Sequence, residues 1–476
     1  MSQPQPTSQS VERIAPAGVN FANLLPLGVR GVAKARKFQP NNGQQFTSVN
    51  NIIRIPLNST GFIDTQHSYL QWDIAINGAV ATGICLEGSS QCVIRTLRIE
   101  GSDGSELERI DNYNVAQAAL SDLQVGSNHK NTIENGMDLS FGAPAAAATF
   151  LTSQATDLTG TAPVVANQAP LLWTNADAGT TKGCCMKLMS GLLNNPKYLP
   201  CGFVAGGGVV LELTLDTDVI ALYDIGQAGT AATYTISNVN YIAQVVEMAD
   251  SFNEAFRSML NEQSGIQWAG QTLRGHQFNF QGSAVASTQT VPIAERAKSI
   301  KAIYQIFRSQ AQINSIDNHS LTRRTFNGCT QYQFRIGSNV YPSQPVRGSN
   351  LAPNEYIAEL YKSVAGLGDV RQGGKINRLS FVGYDSAGPT FGDPTAQTAN
   401  YGSNGFYGID LEVYAQSSEV LESGVDTSSL SLPINVDYSF GAAAVGQVNA
   451  VMTVNSFCLV DVLYSLDASG LLTAAM

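Results

Sequence analysis

Apolar and polar residues alternate with a period of two in one segment after another of this chain, and similar segments return in the same order half a chain later. Leu70, Trp72, Ile74 and Ile76 alternate with Gln71, Asp73 and Ala75. Val209, Leu211, Leu213 and Leu215 alternate with Val210, Glu212, Thr214 and Asp216, and Ile409, Leu411 and Val413 with Asp410 and Glu412. Successive strand side chains point to opposite faces, so this pattern reads as half-buried strands of antiparallel sheets.

Helical spacing is rare. "SFNEAFRSMLNEQSG" offers Ser251 as an N-cap with Glu254 completing a capping box, then Phe252, Phe256, Met259 and Leu260 on one face and Gly265 as a stop. "NYNVAQAALSDLQVG", ending at Gly126, is a second helix. "APNEYIAELYKSVAGLG" is a third, with Ile357, Leu360, Tyr361 and Val364 as its stripe before Gly366. The Gly-, Asn- and Thr-rich stretches 142–183 and 383–405 read as long surface loops.

The positions of these elements disclose a duplication. "IRIPL" and "QTVPI" pair Pro56 with Pro292; "LRIEGSDG" and "FRIGSNV" pair Arg98 with Arg335. The helix stops pair Gly126 with Gly366, and "SNVNYIAQVVEM" and "MTVNSFCLVDVL" pair Asn240 with Asn455. Each separation is close to half of the 476 residues, a length that itself exceeds a single core. The expected chain is all-β. A basic arm covers 1–43, a first sandwich 44–250, a linking helix 251–267 and a second sandwich 268–476. About 200 residues with many strands and one or two small helices describe a Greek-key sandwich, of which the eight-stranded jelly roll is the specific form.

Charge is scarce and unevenly placed. Charged residues make up 13% of the chain, against about 25% in ordinary domains, and the net charge is −10. Either the surface is unusually neutral or other subunits cover much of it. Residues 1–37 hold Arg13, Arg30, Lys34, Arg36 and Lys37 against Glu12 alone, so the rest is more acidic than the total suggests. An acidic body does not bind nucleic acid over its bulk, because phosphate contacts need Lys and Arg. The arm either makes such contacts or is a solvated tail.

Catalytic signals are weak. Asp64 and His67 lie three apart, but the second half keeps the alternation at the corresponding "AERAKSIKAIYQI" without an acid–histidine pair, and no oriented third group is evident. A polar turn explains both copies. The four histidines (67, 129, 276 and 319) never adopt H-x-H or H-E-x-x-H spacing, and G-x-S-x-G is absent. Seven cysteines without a C-x-x-C pair signal neither a zinc site nor a disulfide framework, and read as buried thiols in a reducing compartment. Asp216, Asp218 and Asp224 lack EF-hand spacing and read as solvated acids. "GFVAGGGVV" precedes a strand and lacks the P-loop lysine, so it marks a bend or close backbone approach. No signal peptide and no run of roughly 18 apolar residues is found, so neither secretion nor a membrane span is expected. No metal, cofactor or catalytic residue is assigned.

The strings "KFQPNNGQQF", "NNIIRIPLNSTGFIDTQHSYLQWDI", "YQFRIGSNVYPSQPV", "YGIDLEVY" and "LESGVDTSSLSLPI", in this order over the half-length repeat, resemble the double jelly-roll major capsid proteins of tailless double-stranded DNA viruses, most of all the polinton-like group. The resemblance spans residue 36 to the end. It implies two tandem eight-stranded jelly rolls and a homotrimer forming a pseudo-hexagonal capsomer. It further implies an icosahedral shell shared with neighbouring capsomers, penton and minor capsid proteins, and an N-terminal arm (Arg13, Arg30, Lys34, Arg36, Lys37) facing the genome or an inner membrane. The location implied is the virion, after synthesis in the host cytoplasm; no enzyme activity is implied. Two rival readings remain. One is a carbohydrate-binding or adhesin-like tandem sandwich using Tyr401, Phe406 and Tyr407. The other is a sandwich-fold hydrolase with paired carboxylates, none of which can be placed.

Overall fold

The computed structural model describes residues 30–79, 83–101, 103–124, 172–173, 175, 178–224, 229, 231–281, 285–310, 313, 315–317, 320–321, 324, 329–348, 352–364, 381, 405–413, 423–429, 432–441 and 451–476. In chain order the first half builds β1 (Gly31–Phe38), β2 (Gln45–Thr47), β3 (Ile52–Asn58), β4 (Phe62–Asn77), β5 (Ile84–Leu86), β6 (Ile94–Glu100) and β7 (Glu106–Asp111). Helix α1 (Tyr113–Gln124) follows, then β8 (Leu172–Trp173), β9 (Thr181–Met186), β10 (Gly208–Leu215), β11 (Leu222–Asp224) and β12 (Thr233–Met248). Helix α2 (Asp250–Glu262) leads into β13 (Ile266–Gln281), β14 (Ser287–Ile293), β15 (Ile300–Ser309), β16 (Cys329–Ile336) and β17 (Asn339–Arg347). Helix α3 (Asn354–Ser363), β18 (Tyr407–Asp410), β19 (Ile434–Phe440), β20 (Val451–Leu466) and β21 (Leu472–Ala475) complete the chain.

The first half pairs its strands as β1-β12-β4-β9 and β3-β10-β6-β7; the second as β13-β20-β15-β18 and β14-β19-β16-β17. The two sets correspond strand for strand, with α1 and α3 at the same point after the fifth of the eight strands in sequence, β7 or β17. Each half is therefore an eight-stranded jelly roll. β2 and β21 add to β12 and β20, and β5, β8 and β11 form a small extra sheet in the first roll, with no counterpart among the described residues of the second.

Alternation sets what each sheet buries. Leu70, Trp72, Ile74 and Ile76 of β4 and Val209, Leu211, Leu213 and Leu215 of β10 are all buried, from opposite sheets, in one continuous hydrophobic core. In the second roll Ile409 and Leu411 are buried, but Val413 is exposed because β18 has ended. Pro56 and Pro292 sit in β3 and β14, each at a sheet edge where a missing N–H leaves no ladder bond unmade. Their rows differ. Glu212 lies opposite both Arg54 and Arg98, whereas Asn435 lies opposite both Pro292 and Arg335. Laying Arg98 on Arg335 thus puts Pro292 on Arg54, one pleat repeat from Pro56.

Several expectations need correction. Residues 31–38 are not arm. They form β1, paired residue by residue with β12 from Gly31 opposite Met248 to Phe38 opposite Tyr241. The linking helix begins at Asp250 behind Ala249, which has no capping side chain, so Ser251 caps nothing; Asp250 in the first turn instead complements the helix dipole. That helix ends at Glu262, and 266–267 already belong to β13. The stripe is as expected: Leu260 is buried and Phe252, Phe256 and Met259 half-buried. The stops Gly126 and Gly366, most of 142–183 and nearly all of 383–405 lie outside the described residues, although 172–173 and 181–183 are strand. The bend reading of the glycine run holds: Gly208 has φ +151, and a Cβ there would lie 2.2 Å from the Leu57 carbonyl oxygen.

Candidate functional site

The most elaborate chemistry of the molecule lies where the two rolls meet. Glu108 of β7 is fully buried, and its carboxylate accepts from Ser190 Oγ, from the backbone N–H of Gly191 at 2.7 Å and Leu192 at 3.2 Å, and from Thr272 Oγ1 of β13 at 2.6 Å. Burial raises its pKa above the ordinary carboxylate value, and these donors pull part of the way back. Alongside, Arg274 of β13 reaches Glu106 at 3.6 Å, and Asn195 Nδ2 donates to the Ala269 carbonyl at 2.7 Å. Gly191 approaches so closely that a Cβ would lie 1.9 Å from the Gln271 carbonyl oxygen.

Helix α1 seals the other side of the joint. Its Asp122 pairs with Arg324 of the second roll at 2.8 Å, the two side chains 1% and 0% exposed. Ser320 Oγ donates to the Ile220 carbonyl at 2.7 Å, and Asp224 N–H to Ile316 at 2.9 Å. A buried pair of this kind specifies one arrangement, because losing either partner strands a charge away from water.

The corresponding surfaces at the chain's outer flanks are open. β13 and β1 are equivalent strands, yet every residue of β1 except Phe38 is exposed. β7 and β17 are equivalent, yet β17 is mostly exposed or half-buried, and α3 shows solvent a face that α1 buries. Of the residues expected in a basic arm, Lys34, Arg36 and Lys37 ride on β1: Lys34 pairs with Glu247 at 3.1 Å, and Arg36 stacks 5.0 Å over the Phe38 ring. Basic residues on an exposed edge strand also oppose indiscriminate sheet extension. Arg30 is exposed just ahead of β1, its carbonyl accepting from Ala249 N–H at 3.1 Å. Arg13 lies outside the described residues.

The weaker chemical candidates take structural roles. Asp64 and His67 are not in a turn between strands: both lie within β4, where the register against β12 jumps from Tyr69 to Asp64 across a bulge. Buried Asp64 organises that bulge, accepting from His67 Nδ1 at 2.7 Å and from the N–H groups of Gln66 at 3.1 Å and His67 at 3.3 Å. The carboxylates read as solvated are engaged instead: Asp216 accepts from Asn114 at 2.7 Å, and Asp218 from Ser48 at 2.6 Å and Tyr234 N–H at 3.0 Å. Phe406 and Tyr407, offered as a glycan platform, are buried, Tyr407 packing 5.0 Å from Tyr332 and Phe406 under Arg324. Tyr401 lies outside the described residues. Six cysteines are buried and Cys185 partly so, all with free thiols; burial pushes Cys201 and Cys329 up to about 12. Among the described residues no three His, Cys, Asp or Glu side chains gather as a metal ion requires, and no helix is long and apolar enough to cross a membrane. The Glu108 and Asp122–Arg324 joints carried no local sequence signal; only the duplication hinted that two rolls must meet.

No protein-family model matches the chain, and no curated protein matches it in sequence. Solved structures do match in shape. VP54 of PBCV-1, as fitted into a reconstruction of the virophage Sputnik, superposes with a TM-score of 0.57 at 10% identity, covering 96% of this chain and 99% of that one. The mavirus major capsid protein gives 0.55 at 11% identity over 100% and 95%, and the Faustovirus major capsid protein 0.55 at 11% over 97% and 94%. This chain is a double jelly roll. At such low identity the likeness is one of fold. The likeness runs through nearly the whole of each matched chain.

Proposed function

We propose that this double jelly roll is a structural major capsid protein of a DNA virus, three copies closing into a pseudo-hexagonal capsomer that tiles an icosahedral shell. The observation that carries the reading is the asymmetry of the joint: the chain packs β7 of one roll against β13 of the next, with α1 meeting the second roll at Arg324, and leaves the equivalent β17, α3 and β1 uncovered. A second copy placed head to tail brings β17 and α3 of one chain against β1 of the next. A heterologous contact that repeats a fixed rotation closes into a ring, and six similar rolls need three chains. Charge is compatible with this pairing, since β1 offers Arg36 and Lys37 beside the Lys34–Glu247 pair, and α3 carries Glu355 beside the Glu359–Lys362 pair. The scarcity of charge over the whole chain suits walls that bury neutral polar surface with little desolvation cost.

The location in this reading is the virion, and the further partners are neighbouring capsomers, penton and minor capsid proteins. Arg13 and Arg30 ahead of β1 face the genome or an inner membrane, meeting phosphate by charge alone; Lys34, Arg36 and Lys37 lie at the boundary between copies. Kinship with polinton-like viruses rests on the sequence strings. Light scattering on the purified protein tests the assembly, with an expected mass of about three times 50.6 kDa, and negative-stain images should show a central three-fold axis. A monomer that persists at all concentrations and shows no such particles ends the reading.

A further inference from the structure

An apolar groove of about 630 Å³ opens where α2 crosses between the rolls, walled by Phe62, Met248, Phe252, Phe256, Ile266 and Trp268. Its floor is an aromatic cluster: Phe256 lies 5.4 Å from Phe62 and 4.6 Å from Phe203, and Phe252 6.0 Å from Phe62. Among the described residues Lys197, Gln267 and the Tyr198 hydroxyl bring polarity to the rim, and no acid is part of the lining. A groove of this size and character takes an apolar, uncharged occupant.

The chain itself supplies one. β1 runs antiparallel to β12, Gly31 lies opposite Met248, and the Arg30 carbonyl accepts from Ala249 N–H at 3.1 Å. Arg30 therefore lies at the groove's own wall, beside Ala249 and next to Met248. The residues immediately ahead, "VNFANLLPLGV" from Val19 to Val29, include Phe21, Leu24, Leu25 and Leu27, and no charge falls between Arg13 and Arg30. Leu25 is five residues from Arg30, a reach of up to about 17 Å. We propose that Val19–Val29 seats in this groove of its own subunit, Leu24 and Leu25 against Phe252, Phe256 and Trp268, and so fastens α2 over the joint between the rolls. A tether this short gives an effective concentration in the millimolar range, which favours the chain's own segment over a neighbour's.

Trp268 reports occupancy directly. It is half-buried at the groove, while the other two tryptophans, Trp72 and Trp173, are fully buried and shielded from a polar quencher. Removing residues 1–28 should red-shift the emission and raise acrylamide quenching of Trp268 several-fold, and a synthetic peptide of residues 17–29 should reverse both changes. The full chain carrying Leu24→Asp and Leu25→Asp should behave like the truncated one, which keeps the test valid if truncation disturbs folding. Equal quenching in the full chain and in this double variant overturns the proposal, as does a peptide without effect on a folded truncated chain. Protection that appears only as protein concentration rises also overturns it, in favour of a neighbouring copy's segment. These readings are made on isolated subunits, so they stand or fall independently of shell assembly.

Discussion

Thr272 of the second roll donates its hydroxyl to Glu108 of the first across 2.6 Å, completing a shell of donors around a carboxylate that no water reaches. Thr272→Val keeps the shape and removes one donor from a buried charge, so we expect a loss of about 1–3 kcal/mol, seen as a lower thermal midpoint. A midpoint equal to that of the unsubstituted protein would show that the hydrogen bond contributes nothing.

Glu108 also sets a pH dependence. Burial raises its folded pKa above the unfolded value, so the folded state holds the proton more tightly. Its contribution is then fully present below the unfolded carboxylate pKa and is lost as pH rises through the raised folded value. Glu108→Gln removes this slope. Unfolding midpoints across that window should fall with rising pH more steeply in the unsubstituted protein than in the variant, and parallel curves would contradict the assignment.

Breaking the Asp122–Arg324 pair should cost more. Arg324→Met removes the guanidinium that pairs with a carboxylate of 1% exposure, an expected loss of about 3–5 kcal/mol. Adding Asp122→Leu should recover much of it. A double variant no more stable than the single one in chemical denaturation would mean that the charge is compensated elsewhere.

Two truncations separate strand from tail. Removal of residues 1–28 should leave both rolls folded, whereas removal of 1–37 deletes nearly all of β1 and exposes the β12 edge along seven ladder positions, giving an unstable, aggregating protein. Equal thermal midpoints for the two would show that β1 adds no stability to its sheet.

Charge reversal on β1 tests the contact between copies. Arg36→Glu with Lys37→Glu changes exposed side chains, so the subunit's unfolding should be nearly unaffected while its trimers dissociate, as read by light scattering. Unchanged trimers would exclude β1 from that interface.

The thiols offer a simple check on packing. Iodoacetamide at neutral pH should label at most Cys185 in the native protein, because burial holds Cys201 and Cys329 as neutral thiols near pKa 12 and seals the other buried four, while all seven should react in denaturant. Mass spectrometry showing several native labels would mean that the rolls open readily.

Period-two alternation and the half-length repeat were enough to read two sandwiches, their order of elements and most of their core, because side-chain direction in a strand is a local property. Trp72, Leu211 and Ile409 are buried as their spacing requires. Local chemistry misled where long-range pairing had the last word. The basic run Lys34 to Lys37 resembles a solvated tail, and it is a strand because residues some 200 positions away in β12 supply its ladder. Asp64 and His67 resemble a turn, and a register jump against β12 makes them a bulge. Phe406 and Tyr407 resemble a loop platform, and the second core absorbs them. The joint was invisible in the sequence: Glu108 and Thr272, or Asp122 and Arg324, are ordinary strand and helix residues until two copies of one fold are set side by side. Burial then decides which polar groups must find one another, since only away from water does an unmade hydrogen bond or unpaired charge carry a cost large enough to choose between arrangements.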